Sequence, residues 1–269
     1  MSLPDEFADF VGSVPYREVT LPFGSTRAWD LGEGPPVVCV HGIAGSRRIF
    51  FRLARHLAER RRVVVPHLRG EVEAAPRATL ADYHDDLAAL LIGLDLENVT
   101  LLGVSFGGYV VLSYAARGDP RVGAVAVQGT FARYPLRLPN RLMLGLSHLL
   151  PPAFGAWAFR RRVLEGAENA HLRRCAPGLD VLHADWCAKT PFATLRRRTR
   201  IIDSEDQTDA VRKITVPVSL GHGRDDRIVP LSHLDRLRSL LPDARVEIWD
   251  GVAHVASLTH PEKVADLVS

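Results

Sequence analysis

The sequence predicts an α/β fold, a mostly parallel sheet with helices on both faces and one helical insertion. Three observations predict it. Short β-branched runs bounded by turn residues recur along the chain, stretches of helical periodicity separate them, and this alternation stops once, from Phe131 until an apolar run resumes at Val216. A chain of 269 residues buries a core that needs no disulfide or metal to close it.

The elements follow in order. Tyr16 to Leu21 and Thr26 to Leu31, joined by the turn PFGS, read as an antiparallel hairpin. Val37 to Val40, between GEGPP and the glycine-rich HGIAGS, reads as a strand buried on both faces. From Ser46 to Glu59, Ile49, Phe50, Leu53 and Leu57 mark one helix face, with Arg47, Arg48, Arg55 and Glu59 on the other. Val63 to Val65, Val99 to Val104, Val122 to Val127, Val216 to Leu220 and Val246 to Trp249 are further strands. Leu80 to Leu94, Phe106 to Ala116 and Leu231 to Leu241 are further helices. Between Phe131 and about Arg200 the chain turns helix-like, proline-punctuated and arginine-rich. With no repeat and no low-complexity linker, this insertion is expected to pack on the core.

Composition narrows the function classes. With 34 Lys+Arg, 31 Asp+Glu and 46% hydrophobic residues, the chain is an ordinary globular one and not a disordered or coiled-coil chain. No run reaches the roughly 20 apolar residues a transmembrane helix needs. The opening MSLPDEFADF is acidic where an export signal is basic and then apolar, so a soluble cytoplasmic protein is expected. Cys39, Cys175 and Cys187 form no CxxC or Cys/His cluster, which points to reduced thiols and away from zinc; Cys39 is expected in the core.

The net charge of +3 hides a local +9 between Phe131 and Arg200, where 13 basic residues face 4 acidic ones. Arginines at 160–162, 173–174 and 196–198 read as solvated helix faces in a chain with only three lysines. A sharper reading has them steer an anionic group such as a carboxylate or phosphate. No aromatic-interleaved basic stripe points to nucleic acid, whereas an amphipathic insertion resting on a membrane surface is compatible with the pattern.

The strongest chemical signal is the GxSxG pentapeptide Gly103 to Gly107, at the end of one strand and directly before a helix of small residues. A strand-to-helix turn this sharp strains Ser105 and holds its hydroxyl over the helix amino terminus. A serine hydroxyl needs a base, and the base needs a carboxylate to fix its tautomer. His254, in DGVAHVAS just past the last strand, is the base candidate at the same edge of the sheet. The acid is expected in GRDDRIVP, where Asp226 and Asp225 compete; spacing favours Asp226, and Asp225 has an alternative role capping the turn. Ile43 N–H, in HGIAGS, and Phe106 N–H are the candidate oxyanion donors. His41 reads as structural, shaping the Gly42 turn.

With HGIAGS, GVSFGG, GRDDRIVP and the loop around His254 in that order, the chain resembles the α/β-hydrolase superfamily over about Tyr16 to Phe131 and Ile214 to Ser269. The resemblance implies an eight-stranded sheet and a Ser105, Asp226, His254 triad. It implies a core formed by residues 1–130 and 201–269 and a lid at 131–200. In PHLRGEVEAA, Arg69 and Gly70 fit the family pattern, His67 replaces an acidic residue, and a later glycine and serine are missing. Serine at the nucleophile position separates the chain from haloalkane dehalogenases, which carry aspartate there.

The resulting expectation is a cofactor-independent serine hydrolase, without a metal, that cleaves an ester-like bond of a mostly apolar small molecule through an acyl-enzyme on Ser105. Leu136, Leu138, Leu142, Leu144, Leu146, Leu149, Leu150, Phe154, Trp157 and Phe159 are expected to pack down and line the pocket. A ligand-binding receptor, or an acyltransferase on the same fold, is the competing class. The sequence sets no oligomeric state.

Overall fold

The apolar runs form one eight-stranded sheet in a computed structural model that describes residues 3–71, 73–149, 153–155, 157–158, 161 and 166–268. The strands are β1 (Tyr16–Leu21), β2 (Gly24–Leu31), β3 (Pro36–Val40), β4 (Arg62–Val65), β5 (Val99–Val104), β6 (Val122–Gln128), β7 (Val218–Gly223) and β8 (Arg245–Trp249). Their order across the sheet is β1-β2-β4-β3-β5-β6-β7-β8. β2 pairs antiparallel with β1 and β4, and every neighbour from β4 to β8 is parallel. The predicted mostly parallel α/β sheet is therefore the observed one.

Helices cover both faces because the central strands are apolar on both. Val38, Val40, Leu101, Val125 and Leu220 point into one core, which α3 (Leu80–Gly93) and α4 (Phe106–Ala115) close. Val37, Cys39, Leu102, Val104 and Ala126 point into the other, closed by α1 (Leu3–Ser13) and α2 (Phe51–Leu57). The alternation follows from the two-residue period of a strand. Cys39 lies fully buried in the second core, and burial pushes its thiol pKa far up.

Several boundaries differ from the sequence reading for local reasons. β2 starts at Gly24, so Leu21 pairs with Gly24 and only Pro22 and Phe23 turn the hairpin. β7 begins at Val218, after Pro217, and runs on to Gly223, which carries it to the loop holding Asp226. The helix expected from Ser46 is a 3₁₀ turn, Arg47–Phe50, capped by the Ser46 hydroxyl, with α2 following it. α1 was not expected at all. Its Phe10 packs edge-on against Trp29 at 5.0 Å, and Phe7 lies 4.7 Å from Trp186.

Between β6 and β7 the chain forms α5 (Leu138–Leu146), α6 (Ala167–Cys175), α7 (Leu179–Ala188), α8 (Phe192–Ser204) and the short α9 (Thr208–Val211). The expectation that the apolar side chains here pack down is corrected by the structure. Leu138, Leu142, Leu146, Leu149, Phe154 and Trp157 are exposed, and α5 buries no residue. Leu136 and Leu144 are half-buried, while Leu150 and Phe159, like Arg160 and Arg162, lie outside the described residues. The helices that do pack down are α6 to α8, through Leu172, Leu179, Trp186, Leu195 and Ile201. After β7 come α10 (Ser232–Leu240), which packs on the first core, and after β8 come α11 (Ala256–Thr259) and α12 (Pro261–Ala265), which pack on the second.

Candidate active site

Ser105 stands between β5 and α4 with φ 55° and ψ −118°, a backbone conformation that a non-glycine residue adopts only under constraint. The constraint is the close approach of strand and helix. A Cβ at Gly103 would sit 2.5 Å from the Gly108 Cα, and one at Gly107 would sit 1.9 Å from the Val40 carbonyl oxygen. Only glycine fits at either position, which explains the spacing of GVSFGG. The Ser105 side chain does not cap α4, so the first-turn N–H groups of that helix, Phe106 first among them, are open to a developing negative charge.

The loop after β3 brings Gly42 against Ser105; a Cβ at Gly42 would lie 3.4 Å from the Ser105 Cβ. Gly45 N–H closes the turn onto the Gly42 carbonyl at 3.2 Å, placing Ile43 at its tip. His41 is fully buried below, with Nδ1 2.9 Å from the Gly42 carbonyl and Nε2 3.1 Å from Glu71 Oε2. This is the structural role expected of it. His67, the departure from the family pattern, places Nδ1 2.8 Å from the same carboxylate. Burial works to raise the Glu71 pKa, but the two imidazoles hold it well below the usual carboxylate range.

Asp226 and His254 meet directly. Asp226 Oδ2 lies 2.7 Å from His254 Nδ1, and Asp226 Oδ1 accepts the N–H groups of Ile228 and Val229 at 2.9 and 2.8 Å. Of the two competing aspartates, Asp226, the one that spacing favours, is buried against the imidazole, and Asp225 is exposed. Burial alone would lower the His254 pKa, but the Asp226 charge and hydrogen bond, with Glu168 adding, raise it above the ordinary value. Burial alone would raise the Asp226 pKa, and His254 with the Val229 N–H lowers it instead. An imidazole so held by its Nδ1 has Nε2 as its other ring nitrogen.

Ser105 and His254 are tethered to one stretch at the end of β6. Ser105 N–H donates to the Gln128 carbonyl at 2.9 Å and the Thr130 hydroxyl to the Ser105 carbonyl at 2.7 Å. Gln128 Nε2 donates to the His254 carbonyl at 2.7 Å. Between those anchors, a Cβ at Gly129 would lie 3.1 Å from Asp226 Oδ2 and 3.2 Å from His254 Nδ1. All three residues of the predicted triad are buried, at 6 to 7% exposure.

A family model described as alpha/beta hydrolase fold matches residues 35–176, just over half of the sequence. The chain belongs to the alpha/beta hydrolase family. It is 28% identical to the 2-hydroxy-6-oxo-2,4-heptadienoate hydrolase of Pseudomonas putida, covering 85% of this chain and 86% of that one. It is 28% identical to the pimeloyl-[acyl-carrier protein] methyl ester esterase of Aromatoleum aromaticum, covering 87% and 96%. Its fold matches that of a thermophilic esterase from Thermogutta terrifontis with a TM-score of 0.77, covering 94% and 96% at 24% identity.

Sequence reasoning missed three residues that shape the candidate site of this alpha/beta hydrolase family member. Glu168, at the start of α6, is buried and accepts the backbone N–H groups of His254 and Val255, each at 3.0 Å. Gln128 holds the carbonyl of the same histidine. Arg198, read as part of a solvated cluster, is instead fully buried on α8. It donates to Tyr83 Oη at 3.0 Å, the Ile43 carbonyl at 2.8 Å and the Arg69 carbonyl at 2.9 Å, and lies over the Phe106 ring. Local pattern did not reveal these contacts because each joins segments far apart in sequence. Beside the His254 loop, a cavity of about 320 Å³ is lined by Glu168, His171, Arg174, Asp225 and Arg227 among others. Among the described residues, no group of three or more His, Cys, Asp or Glu side chains is placed to hold a metal ion, and no helix is long and apolar enough to cross a membrane.

Proposed function

We propose that the chain is a serine hydrolase that cleaves a carboxylic ester, or a closely related acyl compound, through an acyl-enzyme on Ser105. The observation that carries this reading is the buried Asp226–His254 pair at 2.7 Å, tethered to the same three residues as a Ser105 held in strained backbone. In this account His254 Nε2 takes the Ser105 proton as the oxygen attacks the carbonyl carbon, and the imidazolium is stabilised by the Asp226 carboxylate. The N–H groups of Ile43 and Phe106 receive the oxyanion. The imidazolium then gives its proton to the departing alkoxide, leaving an acyl ester on Ser105. Water, deprotonated by the same histidine, releases the acid and regenerates the hydroxyl.

Residues 131–200 act as the lid, with Glu168 and Arg198 tying it to the His254 loop and to the carbonyl of Ile43. The named activities of the relatives, an ester hydrolase and a hydrolase of a dienoate, support acyl cleavage of a small organic acid derivative. The substrate is read as a mostly apolar small molecule with a few oriented polar groups, the general character of enclosed binding clefts.

The test is a panel of p-nitrophenyl esters and thioesters of varied chain length, neutral or carboxylate-bearing, run with wild type and Ser105→Ala. Steady multiple turnover that disappears in Ser105→Ala is expected. Turnover that survives the substitution would refute the assignment. A single slow turnover would favour a receptor, and partitioning of product to added alcohols an acyltransferase.

A further inference from the structure

Arg198 is fully buried, and its guanidinium bonds only to uncharged oxygens. Along α8 the buried positions are Thr194, Leu195, Arg198, Ile201 and Ile202, the spacing of one helix face, so Arg198 stands in the middle of the side that packs on the core while Arg200 is exposed. Such a face ordinarily carries aliphatic side chains, because taking a charge out of water is costly unless an opposite charge offsets it. Here Nε donates to Tyr83 Oη at 3.0 Å, Nη1 to the Ile43 carbonyl at 2.8 Å and Nη2 to the Arg69 carbonyl at 2.9 Å. Among the described residues no carboxylate forms an ion pair with it. The guanidinium carbon also lies 5.7 Å from the centre of the Tyr83 ring and 5.6 Å from that of Phe106.

Two of these partners, Ile43 and Phe106, are the residues whose N–H groups receive the oxyanion in the mechanism above. The Ile43 N–H belongs to the peptide group that carries the Gly42 carbonyl, and in a trans peptide the two point in opposite directions. That carbonyl accepts the Gly45 N–H at 3.2 Å and has His41 Nδ1 2.9 Å away. The next peptide group is held through the Ile43 carbonyl by Arg198. Thr190, just before α8, donates its hydroxyl to the Ala44 and Gly45 carbonyls at 3.3 and 3.5 Å. With the carbonyls on both sides of Ile43 pinned, its N–H is fixed in direction. The helix reaches this loop because it sits directly on the turn at 69–71, where a Cβ at Gly70 would lie 2.5 Å from Thr194 Cγ2. A donor fixed in advance needs no reorganisation as negative charge develops, and an unpaired positive charge in a dry site acts in the same sense.

We propose that Arg198 is the positioning residue of the oxyanion hole, fixing Ile43 from the helical insertion and setting an unpaired positive charge beside both donor residues. The proposal rests on the serine-hydrolase reading and makes the insertion part of what stabilises the transition state.

The full chain is compared with Arg198→Met, Arg198→Lys and, as the control for charge on the same helix, Arg200→Met. The readouts are p-nitrophenyl ester kinetics, thermal unfolding, and inhibition by two compounds. One is an arylboronic acid, which forms a negatively charged tetrahedral adduct on the serine; the other is the neutral amide analogue of the ester. Arg198→Met should lose about 10²-fold in kcat with KM within about threefold, and boronate affinity should fall by a comparable factor while amide affinity holds. Arg198→Lys, which keeps the charge, should recover about tenfold of that loss. Arg200→Met should match the wild type. An arginine that only ties the insertion to the core would lower Tm and leave the ratio of boronate to amide affinity unchanged. That result overturns the proposal, as does a folded Arg198→Met with kcat within about threefold of wild type. If the Met variant does not fold, Arg198→Lys decides by the same ratio, and failure of both to fold also overturns the proposal. Wild-type turnover that survives Ser105→Ala would instead refute the serine-hydrolase reading itself, a separate failure.

Discussion

Replacing Asp226 by asparagine isolates the contribution of the carboxylate with almost no change of shape. Asp226 uses its two oxygens differently: Oδ1 accepts two backbone N–H groups, from Ile228 and Val229, and Oδ2 faces His254 Nδ1. An asparagine must keep its carbonyl oxygen on the two N–H groups, because turning the amide round would strand both donors at about 1–3 kcal/mol each. The amide nitrogen is then held toward Nδ1 and donates to it. That donation selects the tautomer with the proton on Nε2, which cannot accept the Ser105 proton. The expected loss in kcat is about 10⁴-fold, equivalent to about 5.5 kcal/mol in the barrier. The assay is p-nitrophenyl ester turnover together with the rate of fluorophosphonate labelling, with circular dichroism to show that the fold is retained. Asp225→Asn serves as the control, with activity close to wild type because Asp225 is exposed. Retention of activity within about tenfold in Asp226→Asn, or an equal loss in Asp225→Asn, would refute the reasoning.

Further outcomes follow from the same geometry. Glu168→Gln offers one oxygen where two N–H groups now find two, so kcat should fall by up to about 10²-fold as the histidine loop shifts. Because the Glu168 charge helps raise the His254 pKa, the acid limb of kcat/KM should also move to lower pH in the variant; an unmoved limb would leave Glu168 a merely structural residue. Gly107→Ala drives a methyl into the Val40 carbonyl and should abolish accumulation of folded protein or shift the strand, lowering Tm by several degrees at least; a Tm equal to wild type would contradict the packing described. His84 and His183 are buried, and burial takes both pKa values down to about 4. As pH falls from 6.5 towards 4 the unfolded chain binds protons that the folded chain refuses, so these two histidines should cost a few kcal/mol of stability over that window. His254, whose pKa is raised, acts in the opposite sense, giving its full contribution below pH 6.5 and losing it as pH rises through its folded value. Urea midpoints across the window, with His84→Gln flattening the acid decline, check the sign.

The sheet was legible because its strands are buried on both faces, so runs such as Val37 to Val40 are apolar without interruption. The serine turn was legible because its geometry admits only glycine at 103 and 107, which leaves a fixed spacing in the sequence. Asp226 could be favoured over Asp225 from spacing alone, but only the fold shows that adjacent residues point in different directions, Asp226 inward and Asp225 to solvent. α1 was within reach: Leu3, Phe7 and Phe10 have helical spacing, but the acidic residues among them were read only as evidence about export. Glu168 and Arg198 were not within reach, because a charged residue is usually solvated and what buries these two lies across the fold. The insertion misled for a different reason. Apolar residues are normally interior, and here the leucines of α5 face out.

Peptide mapping of the protein after brief reaction with a fluorophosphonate tests the central claim most directly. The account predicts one adduct, on Ser105, formed in step with loss of ester turnover and absent from His254→Ala and Ser105→Ala. Full inactivation with the label on another residue, or continued turnover with Ser105 completely modified, would contradict it.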